Sequence, residues 1–267
     1  MSTELTTLQS IAAQLETIPG HVGFYYKNLT TGLEFGVREN DPYLAASVIK
    51  LPLFLHILER SAAGDFPMSL KLTVEDHEKM PSCGALNSFT GPVTADLETL
   101  CRLMITISDN TATNKLINFA TIDGANEAFR RMGLTQTVLR RLLFDAEASA
   151  RGLQNTVSPK EMGMLLEKIY RKEFVSPEVS DHALEVLLKQ QIDHKLDGKL
   201  CGEVPIAHKT GEDDQLSNDI GLFLGDHPFV LCFTGHDTDV YPWESLIRTA
   251  AYDLVHAQMS YPVGEGH

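Results

Sequence analysis

Strand-like segments lie near both ends of this 267-residue chain, and the residues between them, from 47 to about 192, read as helix. A sheet built from those strands must therefore join the two ends of the chain across a long helical excursion. "HVGFYYKNLTTGLEFGVREN", from His21, alternates apolar and polar positions around a Thr-Gly turn, as two antiparallel strands do. After residue 200 the same period returns in "EVPIAHKT", "NDIGLFLG" and "PFVLCFTG", with Gly-Asp-His-Pro as a tight turn. Amphipathic helices over 4–17 and 243–258 lie outside the strands and fit as cover for one face of the sheet.

Helical periodicity between the strands predicts helices over 47–62, from Thr94 to Ile107, over 111–120, over 123–132 closed by Gly133, and over 158–171. The last opens Ser158-Pro159-Lys160-Glu161, where serine can cap, proline suits the first turn and glutamate can bond back as a capping box. The expected class is α+β: an antiparallel sheet with flanking helices, formed by residues 1–46 and 193–267, beside an all-helical subdomain formed by 47–192. A site belongs in the cleft between the two parts. With no repeat, low-complexity run or Pro/Gly/Ser linker, 1–267 reads as a single unit.

Composition narrows the partners. Thirty-six acidic against 22 basic residues give a formal charge of -14 and a pI near 5.1, which disfavours nucleic acid and anionic membranes. No run approaches the roughly 18 to 20 apolar residues of a membrane span. The start "MSTELTTLQS" lacks the regions of an export signal, so a soluble protein is expected, its compartment open because a removed leader would leave a similar start. Cys83, Cys101, Cys201 and Cys232 form no CxxC pair and read as buried free thiols. The ten histidines form no HExxH cluster, so neither a metal nor a cofactor is expected, and the partner is a small-molecule substrate.

The chemistry starts in "AASVIKLPLFLHILE". On a helix Lys50 lies one turn along from Ser47, so its amine can approach the hydroxyl, and the apolar run beyond supplies the burial that lowers a lysine pKa. The helix N-terminus can also stabilise an oxyanion beside Ser47. Taken alone, such a pair is more often a capping serine and a snorkelling lysine. Two further motifs change that weighing: Ser108-Asp109-Asn110 between two helical segments, and Lys209-Thr210-Gly211 at the end of a strand.

SxxK, SDN and KTG in this order are the signature of the penicillin-recognising serine hydrolases, and the chain resembles class A β-lactamases over nearly its full length. "SVIKLPL", "LMITISDNTATNKLI" and "NTVSPKEM" carry that resemblance. The family implies a β-lactamase/transpeptidase-like fold with a five-stranded antiparallel sheet. It also implies a bacterial origin and β-lactam or peptidoglycan-like amides and esters as substrates. By resemblance, Ser47 is the acylated nucleophile, Lys50 its base or relay, and Ser108 the proton donor to the leaving nitrogen. Asn110 holds the substrate amide, while Lys209 and Thr210 of the Lys209-Thr210-Gly211 strand bind its carboxylate. The amides of Ser47 and Glu212 form the oxyanion hole.

The chain departs from the family at several points. Class A enzymes activate the deacylating water with a loop glutamate, and counting back from Pro159 without a gap puts Leu142 at its place. Glu147 is the nearest replacement with reach; alternatively Asp145 or Glu147 pairs with Arg140, Arg141 or Arg151 and pins the loop. Glu212, Asp213, Asp214 and Asp219 follow the KTG motif and face either the cleft or solvent. No arginine occurs between Lys209 and Val240, which leaves Arg248 as the substitute for the family's carboxylate-binding arginine. Cys101 has no partner near Phe54 for a disulfide known in some members. Rival readings are a D-Ala-D-Ala peptidase or esterase of the same fold, and a slowly deacylating β-lactam binder.

Overall fold

The computed structural model describes residues 3–259. Its elements are α1 (Thr3–Leu15), β1 (His21–Asn28), β2 (Glu34–Val37), β3 (Tyr43–Leu44), α2 (Lys50–Ala62), β4 (Lys71–Val74), β5 (Val93–Asp96), α3 (Leu97–Thr106), α4 (Asn110–Ala120) and α5 (Ile122–Arg131). There follow α6 (Ala146–Ala150), β6 (Thr156–Val157), α7 (Pro159–Tyr170), α8 (Pro177–Leu187), β7 (Ile206–Asp213), β8 (Leu216–Phe223), β9 (Phe229–His236) and α9 (Val240–Met259). Both chain ends do meet in one sheet: five strands in the order β2-β1-β9-β8-β7, antiparallel throughout.

Alternation along β1 explains the layering. Val22, Phe24 and Tyr26 point to one face, where Leu8, Ile11 and Leu15 of α1 and Trp243 and Ile247 of α9 bury them. Tyr25 points to the other face and joins a larger core with α2, α3, α5, α7 and α8. A carboxylate also ties the terminal helices to β1: Glu4 accepts from the Tyr26 hydroxyl and from Asn28 Nδ2 (2.7 Å), and Gln258 Nε2 donates to the same tyrosine at 2.7 Å. The tyrosine proton is accordingly held well above its ordinary range by burial and then by that carboxylate.

Several boundaries differ from the sequence expectation for physical reasons. The helix expected from Ser47 begins as a 3-10 turn over Ala46–Ile49 and becomes α-helical only at Lys50. Ser47 does not cap it: the cap position is Ala45, without a side-chain bond. Residues 94–96, expected as helix, belong to β5, which pairs with β4, and Asp96 caps α3 by accepting from Thr99 N at 2.8 Å. The region 47–192 thus also carries a two-stranded ribbon, whose four-residue strands are too short for periodicity to reveal.

Ser158 caps α7 as expected, but the capping box does not form. Glu161 instead accepts five bonds from Thr135, Gln136 and Thr137, holding that loop to the helix. Of the four free cysteines only Cys101 and Cys232 are buried; Cys83 and Cys201 are exposed, correcting the expectation for those two. Among the described residues no helix is long and apolar enough to cross a membrane, and no group of three histidine, cysteine or carboxylate residues is placed to hold a metal.

Candidate active site

Strand β7 is an edge of the sheet, so alternate backbone groups along it lack a strand partner. That edge lies against the 3-10 turn carrying Ser47. A Cβ placed on Gly211 would stand 3.0 Å from Ala45 O and 3.1 Å from Ser47 N, so the missing side chain is what lets the strand approach the turn so closely. Ala46, just before Ser47, takes a left-handed φ of 41°. A cleft of about 550 Å³ opens at this junction, lined by Ser47, Ser108, Asn110, Thr210, Gly211 and Glu212 among others. Ser47 is partly exposed to it.

The SDN segment has a separate structural job for each residue. Ser108 sits between α3 and α4 at a φ of 56°, a left-handed conformation rare for serine. Fully buried Asp109 caps α4 through Ala112 N (2.8 Å), and its second oxygen accepts from Ala85 N (2.7 Å) and Leu86 N (2.9 Å). The Cβ of any side chain at Gly84 would come within 2.4 Å of Asp109 Cγ, so glycine is required where this loop crosses the aspartate. The loop in turn lines the cleft with Ser82 and Cys83.

Two lysines converge on Ser108. Lys50 Nζ, fully buried, lies within hydrogen-bond distance of Ser108 O (2.9 Å), Ser108 Oγ (2.8 Å) and Asn110 Oδ1 (2.9 Å). Burial, and then the charge of Lys209, push the Lys50 amine well below the usual lysine range. Lys209 Nζ, also fully buried, donates to Thr210 O (2.8 Å) and approaches Ser108 Oγ at 3.3 Å. Burial, and then the neighbouring Lys195, bring its pKa down to about 7. The arrangement therefore puts an amine whose charged form burial disfavours in contact with a hydroxyl inside a water-poor wall, next to an accessible serine.

The structure brings together Ser47, Lys50, Ser108, Asn110, Lys209, Thr210, Gly211 and Glu212, but not Glu147. That residue is exposed on α6 and is not part of the cleft lining. Asp145 does line the cleft, with Oδ1 occupied as the α6 cap by Ala148 N at 2.9 Å. Nor do the loop carboxylates pin the arginines. Arg141 donates to Gln154 Oε1 (3.0 and 3.2 Å) and Leu142 O, and Asn155 Oδ1 accepts from Arg140 N (2.7 Å) and Arg141 N (3.1 Å).

Of the two neighbouring leucines it is Leu143, one position beyond the gap-free count, that lines the cleft, whereas Leu142 packs against the core. Asn114 fixes it by clamping both backbone groups, accepting from Leu143 N at 2.8 Å and donating to Leu143 O at 2.9 Å. Asn114 was within reach of sequence reasoning, since it follows Asn110 by one helical turn on α4.

The acidic run after KTG divides. Glu212 and Asp213 line the cleft, Asp214 is exposed, and Asp219 is fully buried, accepting from Leu196 N (3.1 Å) beside His208 Nδ1 (3.0 Å). Arg248 does not reach the cleft; it donates to Glu244 Oε2 and His194 O, both at 3.4 Å. The additional cation is Lys195, fully buried, which donates to Glu212 Oε1 at 2.8 Å and Ser217 Oγ at 3.2 Å. No sequence signal marks this loop lysine, because its partners lie 17 and 22 residues away on the sheet.

Comparison with known proteins agrees with this fold. Residues 6–258 match the model of the "Beta-lactamase enzyme family". A β-lactamase of Rhodobacter capsulatus is 28% identical over 172 residues, covering 64% of this chain and 58% of that protein. The chain thus spans less than two thirds of that relative's length. Among solved structures, a β-lactamase from Sphaerobacter thermophilus superposes with a TM-score of 0.87 at 23% identity, covering 96% of this chain and 98% of the other. PBP-A also superposes at 0.87, with 27% identity and coverage of 96% and 97%. A leucine-to-glutamate mutant of PBP-A, in an acyl-enzyme complex with penicillin G, matches equally well.

Proposed function

The chain belongs to the β-lactamase enzyme family, and on that premise we propose that it is a class A-type serine hydrolase. Ser47 is acylated by β-lactams, and the ester is released slowly. The observation that carries this reading is the fully buried Lys50 amine, held below its usual pKa and in contact with Ser108 Oγ at 2.8 Å, one turn from Ser47. Ser47 Oγ bonds to the lactam carbonyl carbon and gives its proton to Lys50. The carbonyl oxygen, carrying the negative charge, is met by the amides of Ser47 and Glu212. As the carbon–nitrogen bond breaks, Ser108 protonates the nitrogen and is resupplied by Lys50, so the Ser47 proton ends on the product amine. Asn110 orients the substrate amide, and Lys209 with Thr210 faces its carboxylate.

Slow release has its own support. Leu143 lines the cleft that Ser47 opens into, and Glu147 is turned to solvent, so neither supplies the base that a hydrolytic water needs. The mutant of PBP-A named for its penicillin G acyl-enzyme is consistent with such persistence in a similar fold. Mass spectrometry after incubation with benzylpenicillin tests the reading: one adduct on Ser47 is expected, absent in Ser47→Ala. Labelling that survives that substitution overturns it. A chromogenic cephalosporin should give a stoichiometric burst followed by slow turnover, and fast sustained hydrolysis would refute slow release.

A further inference from the structure

Side chains two apart on a strand share a face, so Thr210 and Glu212 of β7 point the same way, and both line the cleft. Glu212 is half exposed, yet its Oε1 is 2.8 Å from the ammonium of Lys195, a lysine with no exposure at all. His194 Nε2 reaches the same oxygen at 3.3 Å. Behind the pair, Lys195 also donates to Ser217 Oγ, which donates to Glu244 Oε1 at 2.9 Å, and Arg248 closes the group on Glu244. The Glu212 carboxylate therefore stands between the open cleft and the buried Lys195 cation.

Resting on the acyl-enzyme reading above, we propose that Glu212 is a specificity residue: its carboxylate takes the Lys195 cation from within, and the cleft therefore selects acyl donors without a free carboxylate facing β7. A substrate carboxylate beside Thr210 meets the Glu212 carboxylate two residues along the strand, and the buried Lys195 cation is already neutralised by it. Lys209 compensates only in part, since burial and Lys195 leave it about half charged near pH 7. Asp213, also on the cleft lining, adds charge of the same sign. The favoured substrates are cyclic or activated amides and esters whose group at this end is neutral, such as an ester or a carboxamide.

Benzylpenicillin and its methyl ester differ at that group alone and serve as the probe pair, with the acylation rate constant at Ser47 read by quenched-flow mass spectrometry. The unaltered protein should acylate faster with the ester. Glu212→Gln, which keeps the length and the backbone amide, should raise the ratio of the benzylpenicillin to the methyl-ester acylation rate about tenfold. Adding Lys195→Met should abolish that gain, because the uncovered cation is its source. Glu212→Thr, a good strand former, should reproduce the effect if the glutamine variant folds poorly. An equal change for both compounds, or a gain that survives Lys195→Met, overturns the proposal while leaving the acyl-enzyme intact. No adduct on Ser47 with either compound overturns the acyl-enzyme reading itself, and this proposal with it.

Discussion

On the α1/α9 side of the sheet Phe24 stacks between Phe35 and Phe233, with ring centroids 6.0 and 5.5 Å away, and Trp243 meets Phe233 edge-on at 5.5 Å. At the β7 edge the fully buried side chains include Lys50, Lys195 and Lys209. The first region is ordinary hydrophobic packing, in which each large side chain contributes roughly 1.5–3 kcal/mol by leaving water. The second region gains little from burial. A buried ammonium must lose its proton or find a counter-ion, and here Lys50 and Lys209 are pushed toward neutrality while Lys195 is paired with Glu212. The α1/α9 side adds stability, and the β7 edge gives up part of the stability of the whole to hold buried amines beside a strained serine at Ser108.

Five substitutions probe this division. Lys50→Met should lower the rate of Ser47 acylation most, by about 10³-fold, within the range expected of a general base. It should cost less stability than a loss on the opposite face, since the freed Ser108 and Asn110 groups border the open cleft and can bind water. Chemical denaturation alongside burst kinetics separates the two effects. Phe24→Ala should do the converse, lowering the unfolding free energy by about 3–5 kcal/mol while the folded fraction acylates at its usual rate. A large acylation defect in that folded fraction would break the distinction between the two faces.

Leu143→Glu places a carboxylate on the cleft wall where Asn114 holds the backbone, and it should speed release of the acyl group on the order of 10²-fold. Glu147→Gln should change release little. Single-turnover decay of the Ser47 adduct measures both, and a large slowing in Glu147→Gln would restore that residue as the base. The smallest effect concerns pH. Acylation needs the neutral Lys50 amine, so its rate should rise with pH through the depressed Lys50 pKa and fall as Lys209 loses its proton near pH 7. Lys209→Met removes the cation that helps depress Lys50, raises the Lys50 pKa, and should move the acid limb to higher pH. An unmoved acid limb would show that burial alone sets the Lys50 value.

Much of the fold was legible because its signals are local and repeated. The β1–β2 hairpin, the three strands after residue 200 and both terminal helices follow from periods of two and of 3.6, and they appear within a few residues of their expected bounds. The ribbon of β4 and β5 was not, since four-residue strands contain too few periods to read. Helix α8 begins Ser176-Pro177 with serine as cap, the same signature as Ser158-Pro159, and was open to the same reasoning. Glu161 had the right spacing for a capping box, but three backbone amides of the 135–137 loop outcompeted the cap.

By itself, the sequence determined which residues gather at the proposed acylation site, because SxxK, SDN and KTG are short words that periodicity alone places at a helix start, a helix junction and a strand end. Tertiary structure alone decided which groups those words would meet. Leu143 rather than Leu142 reached the cleft wall because Asn114 on another element clamps its backbone; Glu147 turned outward on α6; and Lys195 became the third buried ammonium by pairing with Glu212 across the loop-to-strand contact. Each of these outcomes depends on hydrogen bonds between segments far apart in the chain, and burial then sets the charge state of what they enclose.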